Sequence, residues 1–250
     1  ELVLECSGAF SAREDFERFL GGSVRHVLVS APVAEADATL VMGINETSFD
    51  PGTHRIVSGG GATSNALAPL VKVLDEAFGV ECGMVTAVRA YGNDQRILDL
   101  PHRDLRKARA AALSMIPTAT ESTETLGRVM PHLAGRLDGL TVRVPTPDVS
   151  LVDFSAMVGR PATREAILAA FRAAAGQGPL KGFLDITEDE LVSMDLRGNP
   201  ASCVFDPFLT RVMSPRYVKV FGWYDNEFGY ASRMKDLVLH MLAPRKEAVR

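Results

Sequence analysis

The spacing of apolar and polar positions predicts strands and helices in alternation at the start of the chain. Short apolar runs at residues 2–4, 27–29, 38–42 and 55–58 are typical of buried strands. An amphipathic stretch from 11 to 20 predicts a helix between the first two of them. Strands that alternate with helices indicate an α/β fold.

A glycine-rich turn separates the fourth predicted strand from the clearest helix. Residues 59–61 are all glycine, and an apolar stripe at helical spacing follows from Leu67 to Phe78 before Gly79 ends it. Such a turn outlines an anion site, because backbone N–H groups at a helix start face the ligand. The turn matches neither GxGxxG nor the P-loop. A flexible connection is therefore an equally good interpretation.

The rest of the chain is predicted to be strand-rich. Strands are predicted at residues 84–88, 142–144, 149–158, 182–186, 191–196, 203–205, 209–213 and 217–223. A basic, alanine-rich helix is expected over 105–113, a second after Thr163 as its N-cap, and a closing helix over 226–242 with Phe228, Ala231, Met234, Val238, Met241 and Leu242 inward.

Composition narrows the class of protein. Of 250 residues, 46% are hydrophobic and 23% charged, which is typical of a globular protein. The net charge of −4 gives no global basic character that would favour nucleic acid or membrane, so we expect neither as a partner, although a local basic patch is not excluded. Cys6, Cys82 and Cys203 are odd in number and widely spaced. They indicate a reducing, cytoplasmic compartment with neither a disulfide framework nor a metal site, and we expect them to be small buried hydrophobes.

Four motifs carry a resemblance to a known family. The segments ATSNALAPL (62–70), RVPTP (143–147), GPLKG (178–182) and WYDNEFGY (223–230) resemble the phosphorylating glyceraldehyde-3-phosphate dehydrogenase family. The segments NDQ (93–95) and HRDLR (102–106) are closer to its erythrose-4-phosphate dehydrogenase branch.

The resemblance implies a fold and a division into segments. Residues 1–61 correspond to the remainder of a Rossmann-type NAD-binding domain, a partial doubly wound sheet whose N-terminal half is absent from this chain. Residues 62–225 correspond to the α+β catalytic domain, a mixed, largely antiparallel sheet with helices on one face. Residues 226–250 correspond to a helix that packs back on the nucleotide-binding part.

The resemblance fails at the chemistry. The family's nucleophilic cysteine falls at Ala62, its second cysteine at Ala66, and the histidine that activates the thiol at Arg89. A methyl group cannot attack an aldehyde, and a guanidinium stays protonated and cannot serve as the base. Several departures together favour natural loss of thiol chemistry over a single engineered change.

The anion-binding positions are better kept. By motif match, Thr63 and Thr120 fall on phosphate-contacting positions and Arg143 on the arginine that holds the substrate phosphate, with Arg89 as an added cation. Glu121 opposes this interpretation, since its carboxylate would repel phosphate or pair with Arg89. A structural ion pair that fills the vacated site is thus an alternative role for Arg89.

The cofactor and partner predictions depend on the same comparison. Asn226 and Tyr230 match residues beside the nicotinamide, and Ser7, Gly8, Ser30 and Ala31 match backbone around the dinucleotide. Because the pyrophosphate turn would lie before Glu1, we expect NAD or NADP only with a completed N-terminal domain and none for this chain alone.

Three functions therefore stay open. One is a catalytically disabled relative that holds a phosphorylated small molecule. Another is an active NAD(P)-dependent oxidoreductase of altered, non-covalent chemistry. The third is a module that joins a homo-oligomer, or a hetero-oligomer with a related dehydrogenase, through an exposed first strand or the loop over residues 91–112.

Overall fold

The computed structural model describes residues 1–243, so the last seven residues of the predicted segment 226–250 lie outside the described residues. Five helices are present in this range: α1 (Arg13–Glu17), α2 (Ala62–Phe78), α3 (Ser122–Val129), α4 (Arg164–Gly176) and α5 (Phe228–Leu242). Short 3-10 turns lie at Glu46–Ser48, Ala111–Leu113, Pro131–Leu133 and Ser193–Leu196. None of the helices in residues 1–243 is long and apolar enough to cross a membrane.

The first sheet is parallel and has four strands. These are β1 (Leu2–Glu5), β2 (His26–Val29), β3 (Ala38–Thr39) and β4 (Ile56–Ser58), in the spatial order β1-β2-β4-β3. The middle strands are wholly buried and mostly apolar, with His26 and Ser58 as the polar exceptions, as expected where helices cover both faces of a parallel sheet. The strand β1 lies at an edge, and its Leu4 is 41% exposed.

The two faces of this sheet are covered by helices from opposite ends of the chain. On one face, Phe16 of α1 packs in a cluster with Val27 and Ile56. On the other, α5 places Met234 and Leu237 in a cluster that also contains strand and loop residues of the first sheet. The closing helix therefore packs on the sheet formed by the first sixty residues.

The second sheet is mixed and has eight strands. They are β5 (Val80–Ala90), β6 (Ile116–Thr118), β7 (Leu137–Val144), β8 (Ser150–Val158), β9 (Leu184–Ile186), β10 (Cys203–Phe205), β11 (Arg211–Ser214) and β12 (Tyr217–Tyr224). The order is β6-β7-β5-β8-β12-β10-β9, with β11 on β12. The pairs β5/β7 and β9/β10 are parallel and the others antiparallel.

Helices cover one face of the second sheet. Leu67 and Leu70 of α2 belong to the same buried cluster as Phe154 and Val220 of the sheet. Phe171 of α4 stacks on Phe205 at 3.8 Å between ring centroids. The opposite face is open, and Met84 there is 59% exposed. A parallel sheet followed by a mixed sheet with helices on one face is the predicted α/β architecture.

Two predicted elements are wrong. The helix expected over 105–113 is a series of turns with one 3-10 turn at its end, because the carboxylate of Asp99 accepts the backbone N–H of Ala110 and the Lys107 ammonium pairs with Asp94. The strand expected over 191–196 is a 3-10 turn, because the carboxylate of Asp195 accepts the N–H of Val192. Tertiary contacts override local propensity at both places.

Several smaller expectations also need correction. The helix α1 begins at Arg13 and is shorter than predicted, and β3 ends at Thr39. Cys6 and Cys82 are exposed, and only Cys203 is a buried thiol. On α5 the side chains of Phe228 and Leu242 are each 53% exposed, and Ala231 is exposed as well. The elements β6 and α3 were not predicted.

Candidate functional site

A cavity of about 530 Å³ lies where the first sheet, the start of α2 and the ends of β5 and β7 meet. It gathers almost every predicted site residue: Ser30, Ala31, Ala62, Thr63, Arg89, Thr120, Arg143, Asn226 and Tyr230. The lining also includes Glu121. Ser7 and Gly8, predicted beside a dinucleotide, are exposed residues after β1 and do not line this cavity.

The start of α2 forms one wall of the cavity and is held by side-chain hydrogen bonds. Gly61 is the N-cap residue, and its N–H donates to the Ser64 hydroxyl at 2.9 Å while that hydroxyl donates to the Gly61 carbonyl at 2.8 Å. Gly60 has a φ of 64°, which favours glycine, and a Cβ there would lie 2.9 Å from the Ser64 hydroxyl oxygen. The amide of Asn65 donates to the carbonyls of Gly59 and Gly61 at 2.9 and 3.0 Å.

Two hydroxyl groups of the lining are already occupied within the protein. Thr63 is buried and shares a 2.8 Å hydrogen bond with the Tyr224 hydroxyl. Tyr230 donates its hydroxyl to the Gly60 carbonyl at 2.6 Å, and burial raises the pKa of Tyr230 well above its ordinary value. The Tyr230 hydroxyl therefore holds the turn before α2, whereas the Thr63 hydroxyl joins α2 to the end of β12 and is less available to a ligand than its position suggested.

No thiol lies at the helix start. Ala62 is the first residue of α2 and presents a methyl group to the cavity. The two exposed cysteines, Cys6 and Cys82, do not line it. Cys82 is on β5 seven positions before Arg89, so at the strand rise it lies roughly 23 Å away from it along the strand. At that distance the thiol of Cys82 cannot take the place of the thiol that the family has at position 62.

Arg89 and Arg143 form the opposite wall as a cross-strand pair. They are direct partners in the parallel pairing of β5 and β7, and both reach the cavity. Arg143 donates to the Ala90 carbonyl at 2.9 Å and lies 3.7 Å from the Asp94 carboxylate. Burial and the neighbouring Arg89 charge lower the pKa of Arg143.

Arg89 is much less satisfied than its neighbour. Within residues 1–243 its guanidinium makes no hydrogen bond or ion pair, and its buried Nε atom is without a partner. The alternative expectation, an ion pair between Arg89 and Glu121, is therefore not present in the described part of the chain. An unpaired guanidinium beside a second arginine makes this wall electropositive.

Three polar residues of the lining were missed in the sequence. Lys107 and Asp104 come from the loop before β6, and Lys107 forms a 2.8 Å ion pair with Asp94. Ser122 accepts a hydrogen bond from the Thr120 hydroxyl at 2.9 Å. The basic segment that contains Lys107 was visible, but it was assigned to a helix and so was not placed at the site.

The residues predicted to lie beside a nicotinamide also have partners in the protein. Asn226 accepts a hydrogen bond from the Ser150 hydroxyl at 2.8 Å and donates to the Glu227 carboxylate at 3.1 Å. Ser30 and Tyr230 line the cavity described above and also a second, apolar cavity of about 500 Å³ beside β1 and α5. Among residues 1–243 no group of three or more His, Cys, Asp or Glu residues could hold a metal ion.

The amino-acid sequence is similar to those of known proteins. Residues 61–226 match the family model described as glyceraldehyde 3-phosphate dehydrogenase, C-terminal domain. The chain is 47% identical over 239 residues to glyceraldehyde-3-phosphate dehydrogenase of Streptomyces coelicolor, which covers 96% of this chain and 71% of the relative. It is 49% identical over 241 residues to glyceraldehyde-3-phosphate dehydrogenase 1 of Bacillus cereus, which covers 96% and 72%.

Proposed function

This chain belongs to the glyceraldehyde-3-phosphate dehydrogenase family, and from that premise we propose that it binds a phosphorylated small molecule without thiol-dependent aldehyde oxidation. One observation carries the proposal: Ala62 and the unpaired Arg89 line the same cavity. The first removes the group that would form a covalent bond. The second adds a cation that no residue in 1–243 neutralises.

The loss of chemistry follows from the two replaced groups. Covalent aldehyde oxidation needs a thiolate at the helix start and a base that takes its proton. Ala62 supplies neither lone pair nor proton, and Arg89 keeps its proton at any working pH. Tyr230 cannot replace the base, because burial raises its pKa and its hydroxyl is bound to Gly60.

The binding role rests on charge. Arg143 and Arg89 place two guanidinium groups on one wall, and the start of α2 faces the cavity from the other side. Guanidinium groups bind phosphate through paired hydrogen bonds, and a helix start favours anions. Glu121 weakens this field but forms no ion pair with Arg89 in residues 1–243.

We propose the cofactor role with one condition. Ser30, Ala31, Asn226 and Tyr230 fit the nicotinamide end of NAD or NADP, because they line the cavity beside the start of α2. The edge strand β1 is where a further strand, turn and helix would complete a dinucleotide site. NAD or NADP is expected with such a completion and not with these 250 residues alone.

The same edge supports a proposal about assembly. Leu4 is 41% exposed on β1, and Ile97 and Leu98 in the loop after β5 are 88% and 67% exposed. Exposed strand edges and apolar loops favour pairing with another chain. We therefore expect an oligomer, with itself or with a related dehydrogenase, in the cytoplasm. Light scattering and co-purification with an active relative would test this.

The first experiment measures turnover. The purified protein is supplied with glyceraldehyde 3-phosphate or erythrose 4-phosphate, together with NAD or NADP. We expect no turnover above background, whereas ordinary enzymes reach about 1 s⁻¹ or more. Turnover near that value would overturn the proposal and support the second candidate, an active oxidoreductase, which the 46–49% identity to named dehydrogenases favours.

The second experiment measures binding. Inorganic phosphate is titrated by calorimetry at low salt into the native protein, the Arg143→Gln variant and the Arg172→Gln variant. Arg172 is an exposed residue of α4 outside the cavity. We expect Arg143→Gln to weaken binding roughly tenfold or more and Arg172→Gln to leave it unchanged. Absence of binding to the native protein at about 10 mM phosphate would contradict the proposal.

A further inference from the structure

We infer that the cavity selects a ligand with a carboxylate as well as a phosphate, and that Arg89 binds the carboxylate. The inference rests on the proposed function, since it names the class of ligand held by the same cavity. Its starting point is the pairing of two arginines on adjacent strands. When Arg143 holds a phosphate, the guanidinium of Arg89 still offers donors to a second anionic group.

Without a ligand, the positions of Arg89 and Arg143 on adjacent strands are expected to lower the stability of the protein. Arg89 and Arg143 are register partners on parallel strands, which lie about 4.8 Å apart. Like charges directly opposite each other destabilise a sheet. The strain is visible at Arg143, whose pKa is lowered by burial and by the Arg89 charge.

The two arginines differ in how far the protein compensates them. Arg143 has the Ala90 carbonyl and, at 3.7 Å, the Asp94 carboxylate. Arg89 has neither a carbonyl nor a carboxylate within residues 1–243, and its buried Nε, like that of Arg143, is without a partner. Buried polar groups are normally hydrogen-bonded, so Arg89 is the arginine of the pair with more donors to offer an anionic group.

The charge of the whole lining favours a carboxylate over a second phosphate. Arg89, Lys107 and Arg143 are cationic, while Asp104 and Glu121 are anionic, and Lys107 is already paired with Asp94. The remaining positive charge is small and concentrated at the arginine pair. A planar carboxylate matches the guanidinium fork and adds only one negative charge.

The test uses two probes that differ in one group. 3-Phosphoglycerate has a carboxylate where glycerol 3-phosphate has a hydroxymethyl group, and both carry one phosphate. Calorimetric titration of the native protein with each probe, at equal salt, should show 3-phosphoglycerate bound about tenfold more tightly or better. A charge-assisted hydrogen bond from Arg89 to the carboxylate is the reason.

Variants of Arg89 show whether it is responsible. In Arg89→Gln the preference for 3-phosphoglycerate should disappear, because this probe loses its carboxylate contact in addition to the general attraction that both probes lose with the positive charge. Arg89→Lys keeps the charge without the planar fork and should retain part of the preference. Arg172→Gln removes an arginine outside the cavity and should change neither affinity.

The outcomes separate the two claims. Equal affinity of the native protein for both probes would overturn the inference and leave the proposed function standing. A preference that survives in Arg89→Gln would also overturn it, because the carboxylate would then bind elsewhere. Failure of both probes to bind would overturn the proposed function and the inference together. Thermal unfolding of each variant establishes that it is folded, and Arg89→Lys serves if Arg89→Gln is not.

Discussion

The two walls of the cavity differ in how their polar groups are satisfied. At the start of α2, Gly61 and Ser64 exchange hydrogen bonds, and Thr63 is bound to Tyr224. On the opposite wall, Arg89 faces Arg143 across the strands without a hydrogen bond or ion pair in residues 1–243. The polar groups of the first wall pair with one another, whereas the Arg89 guanidinium has no partner within residues 1–243.

The difference teaches which features belong to the fold and which to binding. At the helix start Ser64 and Asn65 hold the turn although Ala62 supplies no reactive atom, so the backbone there needs no thiol. The arginine wall is expected to cost stability, because like charges lie opposite each other. Ligand binding by the arginines, as proposed, would offset that cost.

The largest effect should come from restoring the thiol. In Ala62→Cys the new thiol lies at the first residue of α2, in the cavity that Arg89 also lines. A helix N-terminus and a nearby guanidinium both lower the pKa of a thiol. We expect p-nitrophenyl acetate to acylate this thiol roughly tenfold faster than the thiols of the native protein.

The matched control for that variant is Ala169→Cys. Ala169 is exposed on α4 and does not line the cavity. Equal acylation rates in Ala62→Cys and Ala169→Cys would show that the helix start no longer activates a nucleophile. The conclusion that the helix start is intact and lacks only a thiol would then be wrong.

The second prediction concerns the hydrogen bond between Thr63 and Tyr224 at the start of α2. Thr63→Val leaves the buried Tyr224 hydroxyl without its 2.8 Å partner, so we expect the free energy of unfolding to fall by about 1–3 kcal/mol. Urea denaturation measures this. Thr123→Val on α3, at a half-buried position outside the cavity, is the control. Equal effects of the two substitutions would mean that the hydroxyl pair does not stabilise the wall.

A smaller effect, an increase in the free energy of unfolding, is expected when Arg89 is replaced. Arg89→Gln removes a like charge opposite Arg143, so the free energy of unfolding should rise by about 0.5–1 kcal/mol without ligand. Arg172→Gln, at an exposed position, should change it by less than about 0.5 kcal/mol. A clear loss of stability in Arg89→Gln would indicate that Arg89 is structural after all.

The smallest effect is at the carboxylate that lines the cavity. Glu121→Gln removes a negative charge from the lining, and phosphate should bind roughly two- to threefold more tightly at low salt, with the gain reduced at high salt. Glu165→Gln on α4 is a control outside the cavity. Unchanged affinity in Glu121→Gln would show that Glu121 does not act on the anion site.

Much of the fold could be predicted from local pattern. The stripe of α2 and the alternation of β8 were readable because each continues over several turns or residue pairs. The helix α3 was missed because its eight residues are mostly polar, and β6 because it is three residues long and contains a proline. The false helix over 105–113 had good propensity, but long-range contacts from Asp94 and Asp99 determine that loop.

The sequence was sufficient to predict many of the residues that line the site, but not how they are arranged in space. The family motifs pointed to Thr63, Arg89 and Arg143, which do line one cavity. That Arg89 lies directly opposite Arg143 depends on the register between strands far apart in sequence, which no local pattern contains. The hydrogen bond between Thr63 and Tyr224 joins residues 161 positions apart, so no local pattern shows it.

The central claim is that the cavity holds a phosphorylated ligand and forms no covalent bond with it. Carbon-13 NMR of glyceraldehyde 3-phosphate labelled at its aldehyde carbon tests both parts in one sample. With the native protein we expect the ligand signals to broaden on binding and no hemithioacetal signal to appear, whereas Ala62→Cys should produce one. A hemithioacetal signal with the native protein, or no broadening at all, would contradict the claim.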